Sequence, residues 1–437
     1  MARKKENLTP EERLQAALVP ESEQPYKVPE NWCWVRLLDS FYNCTDSKKK
    51  IPQKEYIHSG ELAVVDQGQD LVGGYTNDSE IAFSGNLPVI IFGDHTRCIK
   101  YIDFPFAQGA DGVKVLKPKR CFDVKAFYYA FQNVNIPNMG YRRHFPLFNQ
   151  YAIPLPPLPE QHRIVDRIES LFAKLDEAKQ KAQEALDSFE TRKAAILHKA
   201  FTGELTAQWR KEHSVGMETW SSCKLIDILV EKPRNGYSPK PVDYVTACKS
   251  MTLSATTTGV FKPEFFKYID EEIPENSHLW LTPGDILIQR ANSLEKVGMS
   301  AIYTGAEHEF IYPDLMMKLT VKEPNNKHYI DYYLKTDEIL NYFRSNATGT
   351  AGNMPKINQK VVSETPLILP ETQEQAEIVR LLDDLLAKEQ QAKEAAEGVL
   401  EQIDLIKKAI LARAFRGELG TNDPSEESAV ELLKQVL

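Results

Sequence analysis

Two stretches of the chain place apolar residues at alternating spacings of three and four positions. The first stretch breaks at Arg192 and the second at Glu389. The apolar positions are Ile164, Ile168, Leu171, Leu175, Ala178, Ala182, Ala185, Phe189 and Ile196 in the first stretch, and Ile378, Leu382, Leu385, Ala392, Ala396, Val399, Ile403, Ile406 and Ile410 in the second. A period of about 3.5 residues over several heptads is typical of coiled-coil helices. The pattern therefore predicts two long helices, each with one apolar seam.

The two helical stretches are copies of one another. Residues 156–205 align without a gap to residues 370–419, and about 40% of the aligned positions are identical. Both copies start at a proline and end in Phe-x-Gly-Glu-Leu, where Gly203 and Gly417 are placed to cap the helix C-terminus. A weaker similarity relates the residues around Trp32 to those around Trp220. The chain is thus predicted to be one unit written twice, with a pseudo-two-fold internal repeat.

Each copy joins a globular stretch to one long helix. The predicted parts are an N-terminal arm (1–29), a first domain (30–152), a central helix (153–205), a linker (206–216), a second domain (217–368), a distal helix (369–419) and an acidic tail (420–437). Two helices of about 40 residues, roughly 60 Å long at 1.5 Å per residue, pair most simply with each other as an antiparallel coiled coil that separates the two domains. The alternatives are that each helix packs on its own domain, or that the chain dimerises through its helices.

The globular stretches show the mixed pattern of α/β (α+β) domains. Short β-branched runs bounded by glycine or aspartate predict strands at 61–66, 87–92, 112–116 and 286–288. Residues 127–131 and 329–340 are predicted to be helical. The two stretches share little sequence although the helices that follow them do. This contrast favours two domains that perform the same task on different targets.

Charge is distributed unevenly along the chain. The composition, with 42% hydrophobic and 26% charged residues, is that of an ordinary globular protein. Much of the net charge of −9 comes from residues 369–437, which hold 8 basic and 15 acidic residues. Because the two domains are close to neutral, any contact with nucleic acid has to come from local basic patches.

Cysteine spacing and hydropathy bear on location. The six cysteines form no CxxC pair, which indicates reduced thiols and no zinc site. No apolar run approaches the ~18 residues that a membrane span needs, and residues 1–10 have no apolar core of a secretory signal. We expect a cytoplasmic protein without a membrane partner.

No catalytic constellation is recognisable in the sequence. The chain lacks an Asn/Asp-Pro-Pro-Tyr/Phe run for amino methylation, a Phe-x-Gly-x-Gly cofactor loop, an HExxH zinc motif and a nucleophile elbow. Pro313-Asp314 has no clearly placed acidic-x-Lys partner for a metal-dependent nuclease, and residues 348–353 lack the spacing of a P-loop. The sequence therefore predicts a binding protein without a metal or cofactor of its own.

The order of these motifs resembles that of the specificity subunits of type I restriction-modification systems. The resemblance rests on Pro-Leu-Pro-Pro-Leu-Pro-Glu-Gln at 154–161, the heptad helix, Ala-Phe-x-Gly-Glu-Leu at 200–205, the return of this combination near the C-terminus, and Tyr-Lys-Val-Pro-Glu-Asn-Trp at 26–32. It implies two target-recognition domains that each bind one half of a split site in double-stranded DNA. It also implies that the long helices set the spacing of the two halves. The acidic tail lies outside this pattern and receives no role.

The resemblance also implies partners for the chain. Two modification subunits, which bind S-adenosylmethionine and methylate adenine, are expected to dock on the helices, and separate restriction subunits are expected to use ATP and Mg²⁺. The chain itself is then not an enzyme. The alternative is a structural coiled-coil scaffold that binds proteins through its globular ends. The missing motifs disfavour a third hypothesis, fusion of one specificity half to a catalytic half.

Candidate DNA contacts in the first domain are basic, amide or aromatic side chains in predicted loops. A lysine run suits phosphates, a glycine-rich loop suits a groove, and paired guanidinium groups beside aromatics suit phosphates and base edges. The candidates are Lys48, Lys49, Lys50, Tyr75, Thr76, Asn77, Arg97, Arg142, Arg143 and His144. A solvated lysine run, an ordinary turn and an exposed strand end are the plain alternatives.

In the second domain the candidates follow a predicted buried strand or lie in polar loops. Arginine pairs with guanine and asparagine with adenine through two hydrogen bonds each, so the run Arg-Ala-Asn-Ser at 290–293 suits base edges. A satisfied turn is the plain alternative. The candidates are Arg290, Asn292, Ser293, Arg234 in the Arg-Asn-Gly turn, and Thr348 and Lys356 in a glycine-rich loop.

Overall fold

The computed structural model describes residues 8–110, 112–140, 142–349 and 354–437, which divide between two units. Unit 1 consists of residues 1–182 and 398–437, and unit 2 consists of residues 183–397. We name residues 30–155 domain 1 and residues 217–369 domain 2, so that each includes the strand that closes it. Each unit therefore combines one of these domains with a part of both long helical stretches.

Several helices begin after a side chain that caps them. Asp123, Asn326 and Thr336 accept backbone N–H groups of the first turn that follows. The Thr336 cap divides the stretch predicted as one helix at 329–340 into two. The described helices are α1 (Pro10–Ala17), α2 (Val124–Gln132), α3 (Leu158–Asp187), α4 (Phe189–Phe201), α5 (Ala207–His213), α6 (Lys327–Leu334), α7 (Asp337–Asn346), α8 (Gln359–Ser363), α9 (Thr372–Ala414) and α10 (Ala429–Lys434).

Domain 1 contains two four-stranded sheets and one two-stranded sheet. Its strands are β1 (Cys33–Arg36), β2 (Phe41–Asn43), β3 (Lys50–Ile51), β4 (Leu62–Val65), β5 (Gly74–Thr76), β6 (Val89–Gly93), β7 (Ile99–Ile102), β8 (Phe106–Gly109), β9 (Val113–Pro118) and β10 (Ala152–Leu155). The antiparallel sheet has the order β2-β9-β6-β7, and the mixed sheet has the order β3-β8-β4-β5. Strands β1 and β10 pair and bring the two ends of the domain together. The predicted strands at 61–66, 87–92 and 112–116 are confirmed as β4, β6 and β9.

Domain 2 repeats this topology with different residues. Its strands are β11 (Ser221–Lys224), β12 (Arg234–Asn235), β13 (Pro241–Val242), β14 (Cys248–Met251), β15 (Phe266–Ile269), β16 (Ile286–Gln289), β17 (Ser300–Ile302), β18 (Phe310–Ile311), β19 (Met316–Leu319) and β20 (Pro366–Leu369). The order β12-β19-β16-β17 reproduces β2-β9-β6-β7, and β11 pairs with β20 as β1 does with β10. The mixed sheets differ at one edge, because β3 lies beside β8 whereas β13 lies beside β15.

The long helices belong to the cores of the units. In unit 1 one apolar cluster joins the antiparallel sheet and α2 to both helices, and includes Ile90, Phe92, Phe127, Phe131, Phe148, Ile164, Ile168, Leu411 and Phe415. The corresponding cluster of unit 2 includes Leu197, Phe201, Ile286, Ile288, Tyr329, Phe343, Ile378 and Leu382. Full burial of one such apolar side chain stabilises a fold by about 1.5–3 kcal/mol. Each domain is therefore anchored to its helices by its own core.

Contacts between the helices run in the antiparallel sense within each unit. In unit 1, Arg163 Nε donates to the Thr421 carbonyl at 2.9 Å, just beyond the end of α9, and Lys407 Nζ lies 2.6 Å from Asp176 Oδ1. In unit 2, Arg192 Nε lies 2.8 Å from Glu389 Oε2, and Lys393 Nζ lies 4.9 Å from the centre of the Phe189 ring. Partner numbers fall along one helix as they rise along the other, which is the signature of an antiparallel pair.

Most predicted seam residues are buried or half-buried, but three are not. In the first stretch Ile164, Ile168, Leu171, Leu175, Ala178, Ala182, Phe189 and Ile196 are shielded, as are Ile378, Leu382, Leu385, Ala396, Ile403 and Ile410 in the second. The placement of Ala392, Val399 and Ile406 on the seam is wrong, because all three are exposed. The next residues, Lys393, Leu400 and Lys407, are half-buried instead. At 393 and 407 a long lysine stem covers apolar surface while its charge reaches a partner, so a pattern based on apolarity alone selects the neighbouring position there. At 400 both Val399 and Leu400 are apolar, and residue type does not decide between them.

A buried Glu-Gln pair attaches each domain to the first turn of its long helix. In unit 1 the Glu160 carboxylate accepts the Trp32 indole N–H at 2.7 Å and the Thr421 hydroxyl at 3.2 Å, and Gln161 donates to the Cys121 carbonyl at 2.9 Å. Burial raises the pKa of Glu160. These contacts give a physical reason for the Pro-Glu-Gln motif.

Unit 2 repeats the attachment with an added cation. Glu374 accepts the Trp220 indole N–H at 2.9 Å and the Thr206 hydroxyl at 2.6 Å, and it forms an ion pair with Arg210 at 2.7 Å. Glu374 and Arg210 are both buried. The ion pair and the hydrogen bonds together compensate the cost of burying the carboxylate.

The acidic tail is part of unit 1. Arg163 holds Glu426 through two hydrogen bonds of 2.8 and 2.9 Å, and the Asn31 side chain donates to the Asp423 carbonyl at 2.9 Å. Ala429 and Leu433 of α10 are buried in the same cluster as Leu14. The acidic tail, to which the sequence analysis assigned no role, therefore packs against the core of domain 1.

In the part of the chain that the structure describes, no helix has the length and apolarity needed to cross a membrane.

Candidate nucleic-acid interface

Two loops meet where β6 ends in domain 1. Residues 94–97 follow the strand, and residues 142–144 return to it. The Asp94 carbonyl accepts the His144 backbone N–H at 2.8 Å, and its carboxylate accepts the Phe145 N–H at 2.7 Å. We name residues 94–97 with residues 138–140 and 142–144 loop pair 1.

His144 anchors loop pair 1 and is not exposed to DNA. Its side chain is fully buried. Nδ1 lies 2.8 Å from the Asp94 carbonyl, and Nε2 accepts the Met139 backbone N–H at 3.1 Å. The interpretation of His144 as a DNA contact is therefore wrong, because both ring nitrogens are used inside the domain.

The remaining basic candidates of loop pair 1 differ in exposure and in hydrogen bonding within the domain. Arg142 and Arg143 are exposed. Arg97 is half-buried with a positive φ of 61°, and its guanidinium donates to the Ile136 carbonyl at 3.0 Å. Tyr141, which belongs to the same motif, lies outside the described residues. The pair Arg142 and Arg143 is thus the main cationic group of this loop pair.

The other candidates of domain 1 are spread over the mixed sheet. Lys50 lies in β3 and Tyr75 in β5, at opposite edges of that sheet, so the structure does not bring the lysine run and the glycine-rich loop together. Lys48 is exposed and Lys49 half-buried. Thr76 is buried, which excludes it as a DNA contact in this conformation.

The polar groups of the glycine-rich loop are largely used by the loop itself. Thr76 Oγ1 accepts the Asp78 backbone N–H at 3.2 Å. Asn77 is exposed, and its side-chain oxygen accepts the Glu61 backbone N–H at 3.1 Å. Half-buried Tyr75 is the candidate of this loop whose ring faces an open pocket, shared with Tyr56.

Domain 2 assembles its candidates in the corresponding place. Residues 290–293 follow β16, and the Arg290 carbonyl accepts the Ile357 backbone N–H at 2.9 Å. Ala291 bridges to Lys356, and Lys356 exchanges two backbone hydrogen bonds of 2.8 and 2.9 Å with Thr348. We name residues 290–293 with residues 348–349 and 354–357 loop pair 2; residues 350–353 of the glycine-rich loop lie outside the described residues.

The side chains of loop pair 2 are unequal as potential contacts. Ser293, Thr348 and Lys356 are exposed. The Asn292 amide donates to Gln289 Oε1 at 2.5 Å and accepts the Ser293 backbone N–H at 2.7 Å. Asn292 is therefore engaged in holding the turn, in line with the plain alternative.

The Arg290 guanidinium contacts Asp314, which also binds Ser238, four residues after Arg234. Its Nη1 donates to the Asp314 carbonyl at 3.2 Å, and Ser238 donates to the Asp314 carboxylate at 2.5 Å. Arg290 Nε is buried and finds no acceptor among the residues that the structure describes. Asp314 thus links Arg290 to the turn that contains Arg234 and Ser238. The sequence around Asp314 did not predict this role.

Arg234 is exposed at the edge strand β12 and pairs with Glu231 at 2.7 Å. The hydrogen bond with Glu231 raises the pKa of Arg234, so the side chain stays a cation. An exposed pair of this kind exchanges readily with other anions, because solvent screens its charges.

Within the described ranges no group of three or more His, Cys, Asp or Glu side chains could hold a metal ion.

The two loop pairs occupy equivalent positions in equivalent sheets. In both, the strand in the third place of the antiparallel sheet ends in a loop whose first carbonyl accepts the N–H of a returning loop. Side chains at these positions differ, since Asp94 stands where domain 2 has Arg290. The fold thus presents two loop surfaces of one architecture and different chemistry.

Sequence comparison assigns the chain's two halves to one family model. The model described as "Type I restriction modification DNA specificity domain" matches residues 29–186 and 217–398. The EcoKI specificity subunit of Escherichia coli (strain K12) is 28% identical over 302 residues, which is 66% of this chain and 64% of that subunit. The StySPI specificity subunit of Salmonella potsdam is 25% identical over 283 residues, 62% of this chain and 58% of that subunit. The matched region thus spans less than two thirds of these relatives' length.

Solved structures show a similar fold. The HsdS subunit from Thermoanaerobacter tengcongensis superposes with a TM-score of 0.58 at 18% identity, covering 91% of this chain and all of that one. A chain from a structure on complex assembly and conformational transition of the type I R-M system gives a TM-score of 0.63 at 18% identity, covering 90% of this chain and all of that one. At this identity the likeness concerns the fold alone.

Proposed function

Because this chain belongs to the family of type I restriction-modification DNA specificity domains, we propose that it is a DNA-recognition subunit that binds a two-part site, one part with each domain. Loop pair 1 contacts one half-site and loop pair 2 the other. Base edges are distinguished by side chains in a groove, whereas contacts to phosphates position the protein without reading sequence.

The observation that carries this proposal is the repeated loop pair at the end of β6 and of β16. Each pair offers exposed cations, Arg142 and Arg143 in one and Lys356 in the other. Arg290 is half-buried and its Nη1 donates to the Asp314 carbonyl, so it supports loop pair 2 from within the domain. Two surfaces with the same backbone support and different side chains are what recognition of two different half-sites requires.

The helices act as a spacer in this proposal. We infer that α3 and α4 together pair with α9 as one antiparallel coiled coil that fixes the distance between the half-sites. The antiparallel contacts found separately in unit 1 and in unit 2 support this inference. Insertion of one heptad at matching points of both helices is expected to change the gap between the half-sites and leave their sequences unchanged.

Partner subunits supply the chemistry in this proposal. The chain is non-catalytic and works in the cytoplasm with two modification subunits and with restriction subunits, and S-adenosylmethionine, ATP and Mg²⁺ belong to those partners. The exposed apolar residues Val399, Leu405 and Ile406 of α9 offer a docking face on the helix. Native mass spectrometry of the purified complex measures the stoichiometry.

Binding to a random-sequence duplex tests whether the chain contacts DNA. The affinity of the full chain, assembled with its partners, is expected to fall steeply with salt, since each neutralised phosphate adds about 0.9 to the slope of log K against log salt. Replacement of Arg142, Arg143 and Lys356 by alanine reduces the slope. Replacement of Lys174, Lys179 and Lys388, three exposed lysines on the helices, removes the same charge and is the matched control. A slope near zero for the wild type favours the protein-binding scaffold instead.

Mapping methylated adenines in cells that express this chain with its partners tests the two-part site. We expect one motif of two short halves separated by a fixed number of unspecified base pairs. Exchange of loop pair 2 residues alters one half only. A continuous motif contradicts the assignment of one half-site to each domain.

A further inference from the structure

The returning loop of each loop pair carries an exposed methionine. Met139 has 43% and Met354 has 45% of its surface exposed. Each follows an asparagine, in Asn-Met-Gly at 138–140 and in Asn-Met-Pro at 353–355. Met139 lies five residues before His144, and Met354 lies three residues before Ile357, the two residues whose backbone N–H groups close the loop pairs. Both methionines therefore belong to the returning loop, at positions that are near each other but not aligned.

The backbone of Met139 is held in position. Its N–H donates to His144 Nε2 at 3.1 Å, and the Asn138 side chain accepts the Gly140 N–H at 3.0 Å. Gly140 has a positive φ of 66°, and an added Cβ there would meet no described atom within 4 Å. A buried histidine therefore fixes a loop whose tip faces open space.

The backbone around Met354 is held by other contacts. The returning strand is closed by the two backbone hydrogen bonds between Thr348 and Lys356, two residues beyond the methionine. Pro355 limits the backbone directly after it. Asn292 N–H donates to the Pro355 carbonyl at 3.4 Å, which ties the tip to the loop after β16.

Each methionine stands beside cations that suit phosphates. Arg142 and Arg143 follow Met139, and Lys356 follows Met354, all of them exposed. An unbranched thioether side chain adapts its shape to an apolar surface, and methionine is among the residues that insert between base steps.

We propose that Met139 and Met354 are the apolar base contacts of the two half-sites, each inserted against one base step while the neighbouring cations hold the phosphates. This inference rests on the proposed DNA function. It assigns to each domain a sequence-determining residue that is neither a hydrogen-bond donor nor a charge.

The test compares Met139→Ala and Met354→Ala with wild type, each in the full chain assembled with its partners. The probes are a duplex carrying the motif found by adenine mapping and a random duplex of equal length. Each variant is expected to bind the motif duplex roughly tenfold more weakly, the size of one mismatched base pair. Binding to the random duplex stays unchanged, because the cations remain. Each variant also relaxes the motif at one step of one half only.

Met217→Ala is the matched control, since Met217 is 46% exposed and lies beside Gly203, outside both loop pairs. It should leave both affinities unchanged. Equal affinity of the Met139 and Met354 variants and wild type for the motif duplex overturns the inference, as does an equal loss on both duplexes, which would show that the methionines only support the cations. Failure of the wild type to bind the random duplex in a salt-dependent manner would instead reject the DNA function itself.

Discussion

Arg192 and Glu389, the two residues that interrupt the heptad patterns, form an ion pair with each other across the helices, with 2.8 Å between Nε and Oε2. Arg192 also donates to Ser188 and to the Ala185 carbonyl, at the point where α3 ends and α4 begins. Two apparent defects in the sequence pattern are therefore one interhelical contact. A single polar pair in an apolar seam specifies register more than it adds stability.

A double-mutant cycle on Arg192 and Glu389 measures this contact. Alanine at either position is expected to destabilise unit 2 by about 1–3 kcal/mol, because the half-buried partner loses its counter-charge. The double variant should cost less than the sum, with a coupling of about 1 kcal/mol. Hydrogen exchange of α4 amides reports the change.

The control for this cycle is the exposed pair Lys388 and Asp384 on the same helix, joined at 2.8 Å. Its coupling is expected to be close to zero because solvent screens the charges. Equal coupling for the two pairs contradicts a special role for Arg192 and Glu389.

The C-terminal tail should stabilise unit 1 selectively. Glu426→Ala removes both hydrogen bonds to Arg163 and leaves its guanidinium with the Thr421 carbonyl but without a carboxylate. Hydrogen-exchange protection of β1, β10 and α1 is therefore expected to fall, while that of β11 and β20 stays. Glu427→Ala, at the next and exposed position, is the matched control. Leu433→Ala tests the apolar part of the same contact, with an expected cost of about 2–4 kcal/mol. Uniform loss of protection in both units would refute the assignment.

The pH dependence of stability should contain a contribution from Glu160. Burial raises its pKa, so the folded state holds the proton more tightly than the unfolded state does. Stability from this group is therefore present at low pH and is lost as pH rises through the raised folded-state pKa. Glu160→Gln carries no charge. Its one amide oxygen can accept the Trp32 indole N–H, and its NH₂ group then faces the Thr421 hydroxyl, which can accept a hydrogen bond.

The difference in Tm between Glu160→Gln and wild type is accordingly expected to grow in favour of the variant from pH 4 to pH 7. Thermal denaturation at several pH values measures it, and Glu401→Gln at an exposed position serves as the control. A difference that shrinks as pH rises would show that the hydrogen bonds to the charged form outweigh burial.

Local periodicity predicted the elements of this fold well, and long-range pairing accounts for what it missed. The strand at 87–92 is visible because the buried run Val89–Phe92 is apolar at every position. The break of the second helical stretch at Glu389 was visible too, but not its partner almost two hundred residues away. Identical order of the antiparallel sheets in the two domains could not be seen, because strand pairing depends on residues that the two sequences do not share.

In the candidate site, too, local sequence indicates some features and long-range contacts decide the others. Residue type alone selected Arg142, Arg143 and Lys356 as candidates, and the structure places all three at the surface. Thr76 and His144 were misjudged because burial is a property of the whole domain: the partner of His144 is the Asp94 carbonyl, 50 positions earlier in the chain. A motif of adjacent basic residues can therefore combine one buried anchor with two exposed cations.

Arg143 and His144, neighbours in that motif, should consequently respond in opposite ways to alanine. Arg143→Ala is expected to change stability by less than about 0.5 kcal/mol, since the side chain is exposed, and to lower the salt slope of DNA binding by about one. His144→Ala leaves the Met139 N–H without its acceptor and opens a cavity, so Tm falls and loop pair 1 becomes accessible to protease. Tm, limited proteolysis and binding at four salt concentrations measured on the same preparations separate the two roles. A large loss of Tm for Arg143→Ala, or an unchanged Tm for His144→Ala, would mean that the loop is held by other contacts than those seen at Asp94 and Met139.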